Sequence, residues 1–231
     1  KAAPEARFLL RTRYQCVKDQ TRQMNRIKHT LMVFGIDPPT ALEKAHWSRN
    51  FIQWLRSIEM KTHEGTLGLQ NQVDRLLSIR ADVLKITKQI RQLSRADKYK
   101  EYVSLLISIP GVSLLSAMVY LTELIDINRF KNLDELASYI GIAPREHSSG
   151  DKQHTGSLTK LGNKFLRHLL IESAWTAVRY DTTLMACYIE YRKYHNHGRA
   201  IIKIAKKLLS RLRYVLIHKE KYKYTLALKS S

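Results

Sequence analysis

The chain has 231 residues and carries 40 Lys and Arg against 20 Asp and Glu, a formal charge of +20. This length allows one or two domains with a sizeable core, and so large an excess of one sign points to a polyanionic partner, either nucleic acid or an anionic membrane surface. No run of about 18 uncharged apolar residues is present, and the N-terminus lacks a signal-peptide core, which excludes a spanning helix and predicts a cytoplasmic protein.

The hydrophobic period is helical almost throughout. Over 7–35, Leu10, Val17, Met24, Ile27, Leu31 and Phe34 recur three, four or seven residues apart, with Arg11, Lys18, Arg22, Arg26 and Lys28 between them. Gly35 and Asp37-Pro38-Pro39 stop this helix. A short helix then holds Trp47, Phe51, Trp54 and Leu55 at a spacing suited to packing. Leu69, Val73, Leu76, Ile79, Val83, Ile86, Ile90 and Leu93 follow with spacings of 4, 3, 3, 4, 3, 4 and 3. They place one apolar stripe on a helix of roughly three heptads, an arm that forms either an antiparallel hairpin or a coiled-coil dimer. Cys16 and Cys187 fall in helical patterns without CxxC spacing and read as packing residues.

At 105–117 the text LLISIPGVSLLSA breaks one apolar helix at Pro110-Gly111 and starts another. It is either an ordinary bend in a core or a helix-hairpin-helix element, in which Pro110, Gly111 and Val112 aim backbone amides at a DNA phosphate, with Ser113 in place of a second glycine. A short helix over 130–140 turns Leu133, Leu136, Ala137 and Ile140 inward.

The stretch 141–175 is the richest in chemistry. Gly141, Pro144, Gly150, Gly156 and Gly162 forbid a long helix and predict a polar loop, held at both ends by flanking apolar segments. Within it Ser148 and Ser149 offer hydroxyls, Arg145, His147, Lys152 and Lys160 offer cationic donors, and Gly150 permits close backbone approach. This inventory suits a phosphate, with a serine oxygen as nucleophile, or else it is a Ser/Gly turn. Lys164 and Arg167 extend the cationic set onto the next helix.

From residue 190 onward there are twelve Lys and Arg against Glu190 and Glu220. Ile201, Ile204, Ala205, Leu208, Leu212, Val215 and Leu216 supply an apolar face, leaving Lys203, Lys206, Lys207 and Arg211 for a phosphate backbone. Tyr188, Tyr191 and Tyr194 either stack on bases or line a packing face. No P-loop, dinucleotide fingerprint or HExxH occurs, and Asp126, Asp134, Glu135, Glu172 and Asp181 are too scattered to assemble into a two-metal cluster.

The segments IPGVSLLSA, FKNLDELASYIGIAP, REHSSG and TGSLTKLGNKFLRHLLIESAW follow one another with an order and spacing that resemble the C-terminal domain of the insertion-sequence transposases of the 110/116/902 group. The preceding arginine-rich helix and coiled coil are similar to the region before that domain. The resemblance implies a DNA recombinase with a composite active site, in which an N-terminal RNase-H-like domain binds magnesium and a C-terminal serine attacks the DNA backbone. Ser149, immediately before the glycine, matches the nucleophile best, with Ser148 second. The resemblance also implies a structured noncoding RNA partner and a homo-oligomer. Because the chain begins at Lys1, where such a protein would be leaving its carboxylate domain, the expectation is a fragment with no metal or cofactor of its own, the magnesium belonging to that other domain.

The expected architecture is all-α: a basic helical and coiled-coil arm over 1–97, then a compact helical domain over 98–231 with a helix-hairpin-helix-like element. The expected function is a transposase fragment supplying a serine nucleophile, the alternative being a noncatalytic nucleic-acid-binding and oligomerisation module.

Overall fold

The helical periods become nine α-helices among the described residues of a computed structural model: α1 (Pro4–Val33), α2 (Arg49–Ser57), α3 (His63–Leu93), α4 (Asp97–Leu106), α5 (Leu114–Leu124), α6 (Leu133–Ile140), α7 (Lys164–Tyr180), α8 (Thr182–Tyr194) and α9 (His197–His218). The structure describes residues 4–42, 47–149, 152–158 and 162–223, with the backbone alone for 144–149 and 152–158. The fold class is all-α. Its one departure is a two-stranded antiparallel sheet, β1 (Pro144–Ser149) and β2 (Lys152–Leu158), where the sequence predicts a loop. Among the described residues no helix is long and apolar enough to cross a membrane.

The chain divides into two compact units, Phe8–Gln89 and a second that takes the first residues of α1 together with Ile90–Ser231, so the boundaries fall inside α1 and α3. In the first unit α1 and α3 run antiparallel. Arg13 Nε donates to Thr87 Oγ1 at 2.7 Å, and seventeen residues further along α1, Thr30 meets Gln72, fifteen residues earlier on α3. Within the chain the apolar stripe of α3 takes part in an antiparallel hairpin with α1. Leu69, Val73 and Leu76 pack with Ile27 and Leu31 of α1 and with Phe51, Ile52 and Leu55 of α2. Ser48 caps α2 by accepting from the Phe51 amide, and Phe51 is flanked by the rings of Trp47 and Trp54 at 5.3 and 5.1 Å.

The second unit is built on α9. Its apolar stripe, including Ile201, Ile204, Ala205, Leu208, Leu212, Val215 and Leu216, is wholly buried, and α9 packs against α4, α6, α7 and α8. One residue, Asp181, joins α7 to α8, and it is only 1% exposed. Its Oδ1 accepts from the Leu184 amide as the N-cap of α8, while Oδ2 takes a charge-assisted bond from Arg211 of α9. A buried carboxylate is tolerated only when fully partnered in this way. Asp181→Ala therefore removes a cap and strands the Arg211 cation. Chemical denaturation is expected to show the second unit weakened by about 3 kcal/mol or more, and a loss below ~1 kcal/mol would show that the pair contributes little.

Candidate functional site

The serine-bearing segment sits on the hairpin. Ser149 pairs with Lys152, Ser148 with Gln153, His147 with His154 and Glu146 with Thr155, with an irregularity between Pro144 and Glu146. The backbone positions of the candidate nucleophile and of one candidate cation are thus register partners beside the Gly150-Asp151 connection. Arg145 lies toward the base of β1. The side chains of Arg145, Ser148, Ser149 and Lys152, like Gly150 and Lys160 as whole residues, lie outside the described residues.

The base of the hairpin is tightly defined. Helix α6 closes through Gly141 at φ +87°, whose amide donates to the carbonyls of Ala137 and Ser138, while the Ile142 amide returns to Ala137. This double closure needs the left-handed conformation that glycine adopts without strain. Gly162, twenty-one positions later, also has positive φ, +105°. A Cβ there would lie 2.7 Å from both the Cα and the nitrogen of Gly141. The two ends of the excursion are therefore in backbone contact, and Gly162 leaves no room for a side chain between them.

Asn163 locks this contact to three helices. Its amide donates to the Tyr139 carbonyl at 2.9 Å, its Oδ1 accepts from the Phe165 and Leu166 amides as the N-cap of α7, and its Nδ2 donates to Glu123 Oε2 at 2.9 Å. Glu123 on α5 is fully buried, and its carbonyl receives the Tyr139 hydroxyl at 3.3 Å. Arg167, a candidate DNA contact, donates through Nη1 to the Gly141 carbonyl at 3.1 Å. Sequence reading missed both Glu123, because a lone acid in LLSAMVYLTEL carries no spacing signal, and Asn163, whose place just before an apolar run is the signal that could have found it as a cap.

The Pro110-Gly111 turn packs closely on α7. Gly111 has φ +89°, and a Cβ there would lie 2.3 Å from the Ser173 carbonyl oxygen and 2.7 Å from the Ala177 nitrogen, so the turn rides directly on the α7 backbone. Val112 is buried and its amide donates to the Ile109 carbonyl. Ser113 and Ser116 form a reciprocal capping box at the start of α5, which occupies both of their amides. Burial pushes the Tyr120 phenol above its usual range; its hydroxyl donates to Ser173 Oγ at 3.0 Å, and the ability of that serine hydroxyl to donate to the phenolate partly offsets the shift.

The α9 cations separate by environment. Arg211 is held by Asp181, with the Tyr222 ring 4.8 Å from its guanidinium, and Lys206 pairs with Asp134 at 2.7 Å. Lys203 is exposed, with the Tyr191 ring 5.1 Å below its ammonium; Lys207 and Lys164 are also exposed. The tyrosines divide likewise. Tyr188 packs edge-on against Trp175 and shares a hydrogen bond with His197 Nδ1, whereas Tyr194 is exposed. Among the described residues no group of three or more His, Cys, Asp and Glu is placed to hold a metal ion. Asp126 caps a 3-10 turn through the Asn128 amide.

The clasp makes a direct prediction. Gly162→Ala puts a methyl group into the Gly141 backbone at a φ that L-residues avoid, and should destabilise the second unit by about 2 kcal/mol or more. Hydrogen exchange of the 144–149 and 152–158 amides is expected to rise beyond that of the remote α9 amides. Unchanged melting and unchanged exchange would show that the two glycines do not hold the hairpin.

With this geometry defined, comparison with known proteins is specific. The Transposase IS116/IS110/IS902 family matches residues 103–189, a span holding the α4–α5 turn, the hairpin and both of its anchors. The chain is 30% identical over 181 residues to the transposase for insertion sequence element IS1111A of Coxiella burnetii, covering 76% of this chain and 47% of that protein. It is 27% identical over 170 residues to the putative transposase y4qE of Sinorhizobium fredii, covering 74% and 40%, and 26% identical over 171 residues to a probable family 20 transposase of Pseudomonas aeruginosa, covering 73% and 49%. The chain thus spans about half the length of the curated relatives it matches. Over residues 103–189, the chain is similar in sequence to the IS116/IS110/IS902 family of transposases.

Proposed function

We propose that this chain supplies the serine-bearing part of a DNA transposase, with Ser149 as the nucleophile and Ser148 as its nearest competitor. The observation that carries this reading is that the family match encloses the Ser148-Ser149-Gly150 hairpin together with the Gly141, Gly162 and Asn163 clasp that holds its base. A nucleophile must be positioned to within a fraction of an ångström, and a polar hairpin without an apolar face of its own depends on its anchorage for that.

In the proposed step the Ser149 oxygen loses its proton and bonds to a backbone phosphorus. The bridging P–O bond breaks, and the departing DNA oxygen takes up a proton. One phosphate ester replaces another, so the linkage can be reversed onto a new strand end. Arg145 and Lys152, on the same hairpin, are the cations nominated to meet charge on the phosphate, with Lys160 and Lys164 as further candidates. The exposed Lys203 and Lys207 are nominated to follow the DNA backbone. DNA is the proposed substrate, with a structured noncoding RNA and further copies of the protein as partners.

The test is transposition by the full-length enzyme in cells. Ser149→Ala is expected to lower element movement by at least a thousandfold with DNA binding retained, and Ser148→Ala to leave most activity. Full activity of Ser149→Ala would overturn the assignment. Loss in Ser148→Ala alone would transfer the role to Ser148, and activity in both single variants and their double would favour a noncatalytic binding module.

A further inference from the structure

The proposed DNA contacts all lie in the second unit, yet the first unit carries a cationic surface that they do not use. Within this unit helix α1 contains six Lys and Arg, at positions 11, 13, 18, 22, 26 and 28, against Asp19. On its C-terminal half, Arg22, Asn25, Arg26 and His29 recur at three- and four-residue spacing, which places them on one helical face. All four are exposed. Together with Thr30 and Gln72 they line a shallow, open groove at the α1–α3 seam.

The groove is built rather than incidental. The seam beneath it switches from apolar to polar: Gln23 is 2% exposed, donates through Nε2 to the Gln72 carbonyl at 2.9 Å, and accepts from Arg26 Nη1 at 3.4 Å. Gln72 in turn exchanges hydrogen bonds with Thr30 Oγ1 at 3.1 and 3.2 Å. These bonds set the groove floor and orient the Arg26 guanidinium. Arg22 is paired with Asp19 on the surface, where an ion pair is worth little and yields readily to a stronger anion. Two guanidinium groups, an imidazole and an amide then converge from one side with no carboxylate among the groove residues. Guanidinium forks suit phosphate oxygens in particular.

We propose that this groove binds the phosphate backbone of duplex nucleic acid without regard to sequence, giving the first unit its own nucleic-acid surface, independent of the serine hairpin. The chemistry is shared by DNA and RNA, so the test uses both: a fluorescent duplex of about 20 bp and arbitrary sequence, in each form, titrated with this chain across a salt series. The combined variant Arg22→Gln/Arg26→Gln/His29→Gln should bind about tenfold more weakly near 100 mM salt, with the log–log salt slope shallower by about 2. Arg22→Lys/Arg26→Lys should keep most of the slope. Asn25→Glu, which removes no packing and places a carboxylate in the groove, should weaken binding several-fold even if the combined variant folds poorly. The duplex form that shows these losses identifies the source of the phosphate. Unchanged affinity and slope in both the Asn25→Glu and the glutamine variants would overturn the proposal, as would binding to phosphatidylserine vesicles with none to either duplex.

Discussion

Backbone contact between Gly141 and Gly162 is the constraint on which the site depends. Twenty residues leave the helical unit and return between these two glycines, and each closure has a left-handed backbone, with no room for a side chain at Gly162. Everything around the contact serves it. The last turn of α6 ends through Gly141, the first turn of α7 begins through Asn163, and the buried Glu123 of α5 receives the Asn163 amide. A hairpin of polar sequence buries little apolar surface and is marginal by itself. Its geometry is therefore inherited from the helices at its base, and changes at Gly162, Asn163 or Glu123 act on the hairpin without touching it.

The same economy governs the charge. The excess of basic residues suggests a uniformly cationic surface, but the cations fall into separate roles. Arg211 neutralises a buried carboxylate, Arg167 braces the Gly141 carbonyl, and Lys206 meets Asp134. Lys164, Lys203 and Lys207 remain exposed on the second unit, as do Arg22 and Arg26 on the first. Residue type alone could not separate these groups, because the carboxylate or carbonyl that claims each structural arginine lies tens of residues away in sequence.

Helix period was the most legible property of the chain. The stripes at Leu69, Val73 and Leu76 and at Ile201 through Leu216 predict the buried faces directly, and the stop at Gly35 agrees with its φ of +63°. The hairpin was hidden because its strands, PREHSS and KQHTGSL, have no alternation of apolar and polar residues; the available signal was the Gly150-Asp151 pair between two short runs. Gly111 was legible as a turn, but its reason was not. Close packing on Ser173 and Ala177 accounts for the glycine, and that contact crosses more than sixty positions. The clasp was half legible: the breakers were visible, while the pairing of Gly141 with Gly162 and the arrival of Glu123 are products of the tertiary fold.

The most direct test of the chemistry is to identify the protein atom joined to DNA. Full-length transposase supplied with magnesium, its DNA ends and any required RNA would be denatured during strand exchange, digested, and its nucleotide-bearing peptide sequenced by tandem mass spectrometry. A phosphodiester on the Ser149 oxygen is the predicted result. A nucleotide on another residue, or strand exchange that proceeds with no protein–DNA bond at any time point, would contradict it.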